Sequence, residues 1–139
     1  MEHYFTNNES LKSDFRSVKY VYKDTPFVFT SDLGVFSKDK IDYGSKSLLE
    51  KVLEIESTGK KILDVGCGYG FIGIVLSKIL DSTVDMVDVN KRALHLTQMN
   101  IKNMKVNAKC FLSDAYKSVT EKYDIIITNP PIRAGKTKF

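Results

Sequence analysis

The most informative stretch for the fold is Lys61-Ile62-Leu63-Asp64-Val65-Gly66-Cys67-Gly68-Tyr69-Gly70, where an apolar run ends in closely spaced glycines. The run over residues 61–65 predicts a short buried strand, and apolar residues at helical spacing over residues 71–80 predict a helix directly after it. Glycine is needed where the backbone turns sharply or where a ligand approaches it closely. Since the N–H groups at the start of a helix bind polar and anionic groups, the stretch predicts a strand–loop–helix unit that holds a nucleotide-like cofactor.

Strands continue to alternate with helices toward the end of the chain. Residues 84–89 predict a second strand, and residues 91–105 predict a second helix with Asn90 as its N-cap. A weaker third strand follows over residues 108–112, and the β-branched run over residues 124–128 is the clearest strand of all. Because strands that alternate with helices form parallel sheets with right-handed crossovers, the pattern predicts a doubly wound α/β fold.

The segment before this core carries weaker patterns. Alternation of apolar residues over residues 16–30, with the turn-forming Asp24-Thr25-Pro26 in the middle, predicts a β-hairpin. Apolar residues at helical spacing predict a helix over residues 45–56, capped by either Ser45 or Ser47.

Length and composition indicate one globular domain. The chain has 139 residues, of which 42% are hydrophobic and 27% charged, enough for a single core. We therefore assign residues 1–139 to one domain, with its α/β core over residues 60–139. No apolar run approaches the ~18 residues that a membrane span needs, and no secretory signal is recognisable, so we expect a cytoplasmic protein.

Neither the two cysteines, Cys67 and Cys110, nor the histidines have metal-ligand spacing, so we expect no metal site and no disulfide.

Two cofactors fit the glycine loop. Gly68, Gly70 and Gly73 have the GxGxxG spacing of a dinucleotide site, and Asp88 lies 20 residues after Gly68. An acid at that distance binds the ribose of NAD in dinucleotide-binding proteins. A nicotinamide-dependent oxidoreductase is therefore one interpretation of the loop.

Two other features favour S-adenosylmethionine. The first glycine after the strand is Gly66, so the triplet that follows the strand is Gly66, Gly68 and Gly70, with GxGxG spacing. Asp64 also places a carboxylate at the end of the strand, where it would repel a pyrophosphate. The same carboxylate would attract the cationic sulfonium and ammonium groups of S-adenosylmethionine. The loop and its acid together favour the methyl donor.

Acidic residues also follow the second and third predicted strands. Asp88 ends the second strand, where an acid can accept both ribose hydroxyls of an adenosine. Asp85 competes for that role, but strand alternation and position favour Asp88. Asp114 follows the third strand, where its carboxylate could accept from the adenine amino group, although a helix cap or a surface acid explains it nearly as well.

The motif Asn129-Pro130-Pro131-Ile132 after the fourth predicted strand indicates the reaction class. Prolines remove backbone donors and stiffen the turn, while the Asn129 side chain and the Pro130 carbonyl offer two acceptors to one NH2 group. Acceptors so placed direct the nitrogen lone pair toward a methyl donor and stabilise positive charge developing on the nitrogen. The motif predicts methyl transfer to an amino group, with Pro131 and Ile132 completing the catalytic loop. A strand that simply ends at prolines is the alternative.

Five stretches carry a resemblance to a known family: Phe29-Thr30-Ser31-Asp32-Leu33-Gly34-Val35-Phe36-Ser37, Asp42-Tyr43-Gly44-Ser45, Leu63-Asp64-Val65-Gly66-Cys67-Gly68-Tyr69-Gly70, Asp88-Val89-Asn90 and Asn129-Pro130-Pro131-Ile132-Arg133-Ala134-Gly135-Lys136. Together they resemble the small-subunit (16S) ribosomal RNA guanine-N2 methyltransferase family, over essentially the whole chain. The resemblance implies a Rossmann-like class I methyltransferase fold, S-adenosylmethionine as cofactor, and a guanine exocyclic amine in small-subunit ribosomal RNA as substrate.

The resemblance also assigns roles to individual residues. The cofactor set comprises Asp64, Gly66, Gly68, Asp88 and Asp114, and the target amine is assigned to Asn129 with Pro130. We add Cys67, Gly70 and Val89 to the cofactor set, because they lie within the same motifs.

One residue departs from the wider amino-methyltransferase pattern. Many such enzymes carry an aromatic residue after the two prolines, which stacks on the flipped-out base and contributes ~1–3 kcal/mol. Ile132 occupies that place here, so we expect stacking from elsewhere, with Phe36 and the Arg133 guanidinium as the candidates.

The resembling family's domain continues past the Asn-Pro-Pro motif, whereas this sequence stops at Phe139. We therefore expect a C-terminally truncated domain with four core strands in the order 3-2-1-4, in which residues 124–128 form an unprotected edge. Such a chain is expected to bind the cofactor weakly, to catalyse poorly or not at all, and to self-associate through that edge.

Charge fits a nucleic-acid partner without requiring one. The formal net charge is +4, which suits ribosomal RNA or the small ribosomal subunit.

Two other functions stay open. The first is methylation of a protein glutamine or DNA adenine, although enzymes of those classes more often carry an aromatic residue where Ile132 stands. The second is a cofactor- or RNA-binding fragment without catalysis.

Overall fold

A computed structural model of the chain describes residues 12–36, 40–55 and 59–128. In chain order, these residues form β1 (Phe15–Tyr22), β2 (Thr25–Asp32), α1 (Tyr43–Glu54), β3 (Lys61–Val65), α2 (Phe71–Leu80), β4 (Thr83–Asp88), α3 (Lys91–Met104), β5 (Ala108–Leu112) and β6 (Ile125–Thr128). Within these ranges, the helices are all too short or too polar to cross a membrane.

The later four strands form one parallel sheet in the order β5-β4-β3-β6. This order is the predicted 3-2-1-4, so the prediction of a parallel α/β core is confirmed. Val65 at the end of β3 lies beside Val87 of β4 and Thr128 of β6. The carboxyl ends of the strands therefore meet at one edge, which is where a doubly wound sheet places its ligand.

The core lies mainly on one face of this sheet. Ile62, Met86 and Ile127 belong to the large buried cluster that packs against the helices and the hairpin. A smaller cluster on the opposite face contains Leu63 and Val87 and is covered by the segment between β5 and β6. That segment forms turns instead of a helix, so the helices among the described residues all cover the same face.

The N-terminal hairpin is formed by β1 and β2, and its turn differs from the predicted one. The turn consists of Lys23 and Asp24, and Pro26 lies inside β2 opposite Val21. Lys23 adopts the left-handed conformation, with φ of 51°, which makes a two-residue turn feasible. Proline is tolerated at the start of an edge strand, because its missing N–H need not be paired there.

Aromatic side chains attach the hairpin to the core. The ring of Tyr20 meets that of Phe71 in α2 edge-on at 5.0 Å between centroids, and Phe29 meets the same ring at 5.6 Å. Phe27 and Phe29 are almost fully buried. Burial of this much aromatic surface makes the hairpin part of the domain rather than an appendage.

The helix caps confirm one prediction and correct another. Asn90 caps α3 as predicted, since its side chain accepts from the Ala93 N–H at 3.0 Å. At α1, neither Ser45 nor Ser47 is the cap. Asp42 accepts from the Ser45 N–H at 3.1 Å, so α1 starts at Tyr43, two residues earlier than predicted. Aspartate is a preferred N-cap because its carboxylate also suits the positive end of the helix dipole.

Candidate functional site

The glycine loop connects β3 to α2 and is fastened to the neighbouring strand. The N–H groups of Gly66 and Cys67 both donate to the Val87 carbonyl, at 2.8 and 3.0 Å. Gly66 has a φ of 78°, and a Cβ there would meet no described atom within 4 Å. The glycine is therefore explained by its backbone conformation, and the space beside it is open to a ligand.

Asp88 reaches from the end of β4 back to this loop. One carboxylate oxygen accepts from the Gly68 N–H at 2.9 Å, and the other accepts from the Asn90 N–H at 3.0 Å. Burial raises the pKa of Asp88, although these N–H groups and that of Val89 oppose the shift. Because each carboxylate oxygen has a second lone pair, Asp88 keeps acceptor capacity for a ligand.

Asp64 is the second-to-last residue of β3, close to the start of the glycine loop, and is only 2% exposed. Its Oδ2 atom is buried without a hydrogen-bond partner among the described residues. Burial raises the pKa of the Asp64 carboxyl to about 7; the charge of Asp88 adds to this, and the backbone N–H of Gly73 opposes it. A buried carboxyl oxygen without a hydrogen-bond partner is costly, so Oδ2 is suited to a ligand that brings a positive charge or a donor.

Asp85, the competing acid of β4, faces the other side of the sheet. Its Oδ2 atom accepts from the Tyr123 hydroxyl at 2.6 Å, in the smaller buried cluster. Strand alternation therefore separates Asp85 from the loop and leaves Asp88 as the β4 acid at the candidate site.

Cys67 is buried in the loop, with its side chain turned inward. Its Sγ lies 3.6 Å from the Thr97 Oγ1 of α3, and burial raises the pKa of the thiol well above its ordinary value. Any contact of Cys67 with a cofactor would therefore come from its backbone. Gly70, by contrast, forms the N-cap of α2 with a φ of 99°.

Asp114 lies just beyond the end of β5, at the same edge of the sheet. The preceding Ser113 N–H donates to the Asp88 carbonyl at 3.0 Å, which joins the two strand ends. The Asp114 side chain is exposed and pairs with Lys117 at 3.1 Å. The structure thus brings Asp114 near the site, with its carboxylate facing solvent.

Phe36 lies against the glycine loop. Its ring would be 3.5 Å from a Cβ at Gly68, and it meets the Tyr69 ring edge-on at 5.5 Å. The turn that carries Phe36 is held by Asp32, whose carbonyl accepts from the Phe36 N–H at 2.8 Å. The Asp32 carboxylate is itself paired with Arg92 at 3.4 Å. Phe36 therefore lies next to the glycine loop.

The predicted catalytic motif follows β6 directly. Thr128 ends β6 beside Val65, at the edge where the glycine loop begins. The residues of the motif lie outside the described part of the chain: Asn129, Pro130, Pro131, Ile132 and the neighbouring Arg133.

Two contacts of the loop carry no sequence signal of their own. Thr97 donates to the Gly68 carbonyl, and Asn100 donates to the Tyr69 carbonyl, both at 2.8 Å. The only hint in the sequence is that these polar residues fall on the buried stripe of α3, at helical spacing from Ala93. Within the described ranges, no cluster of three or more His, Cys, Asp or Glu side chains could hold a metal ion.

Comparison with protein families gives one match that covers most of the chain. The family described as Methyltransferase small domain matches residues 26–139. The protein YbxB of Bacillus subtilis, which is described as uncharacterized, is 45% identical over 97% of this chain and 69% of its own length.

Relatives with described activities are longer. Ribosomal RNA small subunit methyltransferase C of Psychromonas ingrahamii is 36% identical over 74% of this chain, which corresponds to 29% of that protein. Among solved structures, the T. thermophilus 16S rRNA N2 G1207 methyltransferase, in complex with AdoMet and guanosine, superimposes with a TM-score of 0.80 and 29% identity. That match covers 90% of this chain and 35% of the other. The chain thus spans about a third of these two relatives, and the prediction of a Rossmann-like methyltransferase fold is confirmed.

Proposed function

The chain belongs to the Methyltransferase small domain family, and we propose that it transfers a methyl group from S-adenosylmethionine to an exocyclic amino group. One observation carries this proposal. The buried carboxyl of Asp64 and the half-buried carboxyl of Asp88 both lie at the glycine loop, at the carboxyl edge of the sheet. A pyrophosphate would be repelled there, whereas a cationic cofactor would be attracted.

The residues of the site fit S-adenosylmethionine. The unpartnered Oδ2 atom of Asp64 suits the positively charged part of the cofactor, and Asp88 has lone pairs left for the ribose hydroxyls. The exposed carboxylate of Asp114 is suited to the adenine amino group. When bound, S-adenosylmethionine supplies an electrophilic methyl group on a sulfonium. Asp64 then acts by holding charge and position, and takes up no proton during the methyl transfer itself.

The target amine is assigned to the loop after β6. The Asn129 side-chain oxygen and the Pro130 carbonyl would accept the two amine hydrogens and orient the nitrogen lone pair. Pro131 would stiffen the loop that carries both acceptors, and Ile132 would complete that loop. The amine loses its proton only after attack, so no strong base is required.

The substrate we propose is the N2 amine of a guanine in small-subunit ribosomal RNA. Support comes from the described activities of the relatives that match this chain and from its net charge of +4. Phe36, which lies at the border of the glycine loop, is the candidate for stacking on the base, with Arg133 as the second candidate.

Transfer of tritiated methyl groups to isolated small-subunit ribosomal RNA tests this function. We expect the wild type to incorporate tritium into the RNA. Asn129→Ala should reduce this incorporation at least ~100-fold, because a preorganised acceptor at the reacting group is lost. Asn103→Ala removes an exposed amide of α3 instead and should leave incorporation unchanged. Incorporation into DNA or protein but not into RNA would overturn the substrate while preserving the reaction class. Equal incorporation by wild type and Asn129→Ala would overturn the assignment of the motif.

A further inference from the structure

The Asn100 side chain joins three parts of the molecule. Its Oδ1 atom accepts from the Thr30 N–H of β2 at 2.8 Å. Its Nδ2 atom donates to the Thr30 carbonyl at 3.0 Å and to the Tyr69 carbonyl at 2.8 Å. Asn100 is fully buried in α3, and both of its amide hydrogens are used. One side chain therefore links the hairpin, α3 and the glycine loop.

Thr97 lies one turn earlier on the same face of α3 and contacts the loop twice. Its hydroxyl donates to the Gly68 carbonyl at 2.8 Å. Its methyl group would lie 3.2 Å from a Cβ at Gly70, so the loop passes close over this side chain. Thr97 is fully buried, which keeps water from competing for the Gly68 carbonyl.

These two side chains determine which way the peptide groups of the loop face. Thr97 and Asn100 hold two consecutive carbonyls, those of Gly68 and Tyr69, toward α3. Because a trans peptide group is planar, the Tyr69 N–H must point opposite to the Gly68 carbonyl, away from α3. The Gly68 N–H is meanwhile held by Asp88. The loop is thus preorganised from both sides before any ligand arrives.

We propose that Thr97 and Asn100 are positioning residues of the cofactor site, and that Asn100 makes the N-terminal hairpin a structural component of that site. The proposal rests on the proposed function only in taking the glycine loop as the cofactor loop. Losing these bonds lets the loop peptides rotate, and the cofactor must then supply the ordering free energy when it binds.

The hydrogen bonds from the Thr97 and Asn100 side chains to the glycine loop are called the clamp below. Amide hydrogen exchange of the ligand-free protein tests directly whether this clamp holds the loop. Thr97→Val removes the hydroxyl and keeps the side-chain size, so we expect the Gly68 and Gly70 amides, which are bonded to Asp88 and to the Cys67 carbonyl, to exchange about tenfold faster. The Thr30 amide should not change in this variant. In Asn100→Ala, the Thr30 amide and the loop amides should both exchange faster, because Asn100 holds both segments.

Calorimetry with S-adenosylhomocysteine provides the second readout. We expect Thr97→Val to raise the dissociation constant about five- to tenfold, the equivalent of one lost hydrogen bond. Thr97→Ser keeps the hydroxyl and should restore binding to within about twofold. Ser77→Ala is the matched control, because its hydroxyl is also buried and donates to a backbone carbonyl, that of Asn107 at 3.2 Å, away from the loop. It should lower the urea midpoint without changing loop exchange or affinity.

The outcomes separate the clamp from the proposed function. Wild-type affinity and wild-type loop exchange in Thr97→Val would overturn the clamp, as would an equal loss of affinity in Ser77→Ala. If the wild type binds no S-adenosylhomocysteine, the proposed function fails. The exchange of the loop amides in Thr97→Val then still decides whether the clamp exists.

Discussion

At the scale of single residues, Asp64 links the structure most directly to the charge of its ligand. The carboxyl is buried close to the glycine loop, its Oδ2 atom has no partner within the described residues, and burial raises its pKa to about 7. In the ligand-free protein, the proton therefore leaves Asp64 near neutral pH. A cationic ligand favours the ionised form, so ligand binding and proton release are coupled.

This coupling predicts that affinity for S-adenosylmethionine rises with pH. Below pH 7, binding must first remove a proton from Asp64, whereas above pH 7 the carboxylate is already present. Between pH 8 and pH 6 we expect about a tenfold loss of affinity from this group. Calorimetry with Asp64→Asn provides the control, because that variant retains the ligand's own titration. A pH profile identical in the two proteins would contradict the role of Asp64.

At the scale of secondary-structure elements, Gly73 sets how closely α2 packs on β4. A Cβ at this position would lie 2.3 Å from the Met86 Sδ and 2.6 Å from its Cγ. Since Met86 is itself fully buried, it has little room to move aside. The close contact also keeps the first turn of α2 over Asp64.

We therefore expect Gly73→Ala to lower the free energy of unfolding by about 1–3 kcal/mol through overpacking. Urea denaturation measures the change. The double variant Gly73→Ala, Met86→Val shortens the opposing side chain and should recover part of the loss. Additive losses in the double variant would show that the contact with Met86 is not the cause.

Tyr123 fastens the segment between β5 and β6 to the sheet. Its hydroxyl donates to the Asp85 Oδ2 atom, while the other oxygen of that buried carboxyl has no partner among described residues. Tyr123→Phe leaves both oxygens without a partner, and we expect a loss of about 1–3 kcal/mol in unfolding free energy. Tyr116→Phe is the control, since Tyr116 is 51% exposed. Equal stability of Tyr123→Phe and wild type would contradict this account.

The sequence predicts the elements whose signal is local. β3, α2 and β5 lie at their predicted positions, because apolar periodicity and the glycines between them are short-range patterns. The predicted position of the hairpin turn is wrong. Asp24-Thr25-Pro26 indicates a later turn than the observed one, which is made possible by the left-handed conformation of Lys23. Both predicted caps of α1, Ser45 and Ser47, are wrong, because Asp42 lies three residues before Ser45 and accepts from its N–H.

The sequence likewise predicts some residues of the candidate site and misses others. Asp64 and Asp88 are predictable, because acids at the ends of adjacent parallel strands must lie close together. Asn100 and Thr97 are not, because their partners Thr30 and Gly68 are backbone groups, 70 and 29 residues away in the chain. Any residue type offers a backbone carbonyl, so such contacts leave no pattern in the sequence beyond the two polar residues on the buried stripe of α3.

At the scale of the whole molecule, β6 is the outer strand of the sheet within the described residues. Ile126 in this strand is 53% exposed, and an exposed apolar edge strand favours pairing with another chain. We predict concentration-dependent self-association in sedimentation velocity, which Ile126→Lys suppresses. The same sedimentation behaviour in wild type and Ile126→Lys would contradict pairing through β6.

We propose that the glycine loop binds S-adenosylmethionine rather than a dinucleotide. The most direct measurement is calorimetric titration of the wild type and Asp88→Ala with S-adenosylhomocysteine and with NAD. We predict binding heat from S-adenosylhomocysteine alone, with affinity reduced by about 10- to 100-fold in Asp88→Ala, because a charged acceptor for the ribose is lost. Binding heat from NAD and none from S-adenosylhomocysteine would contradict the claim.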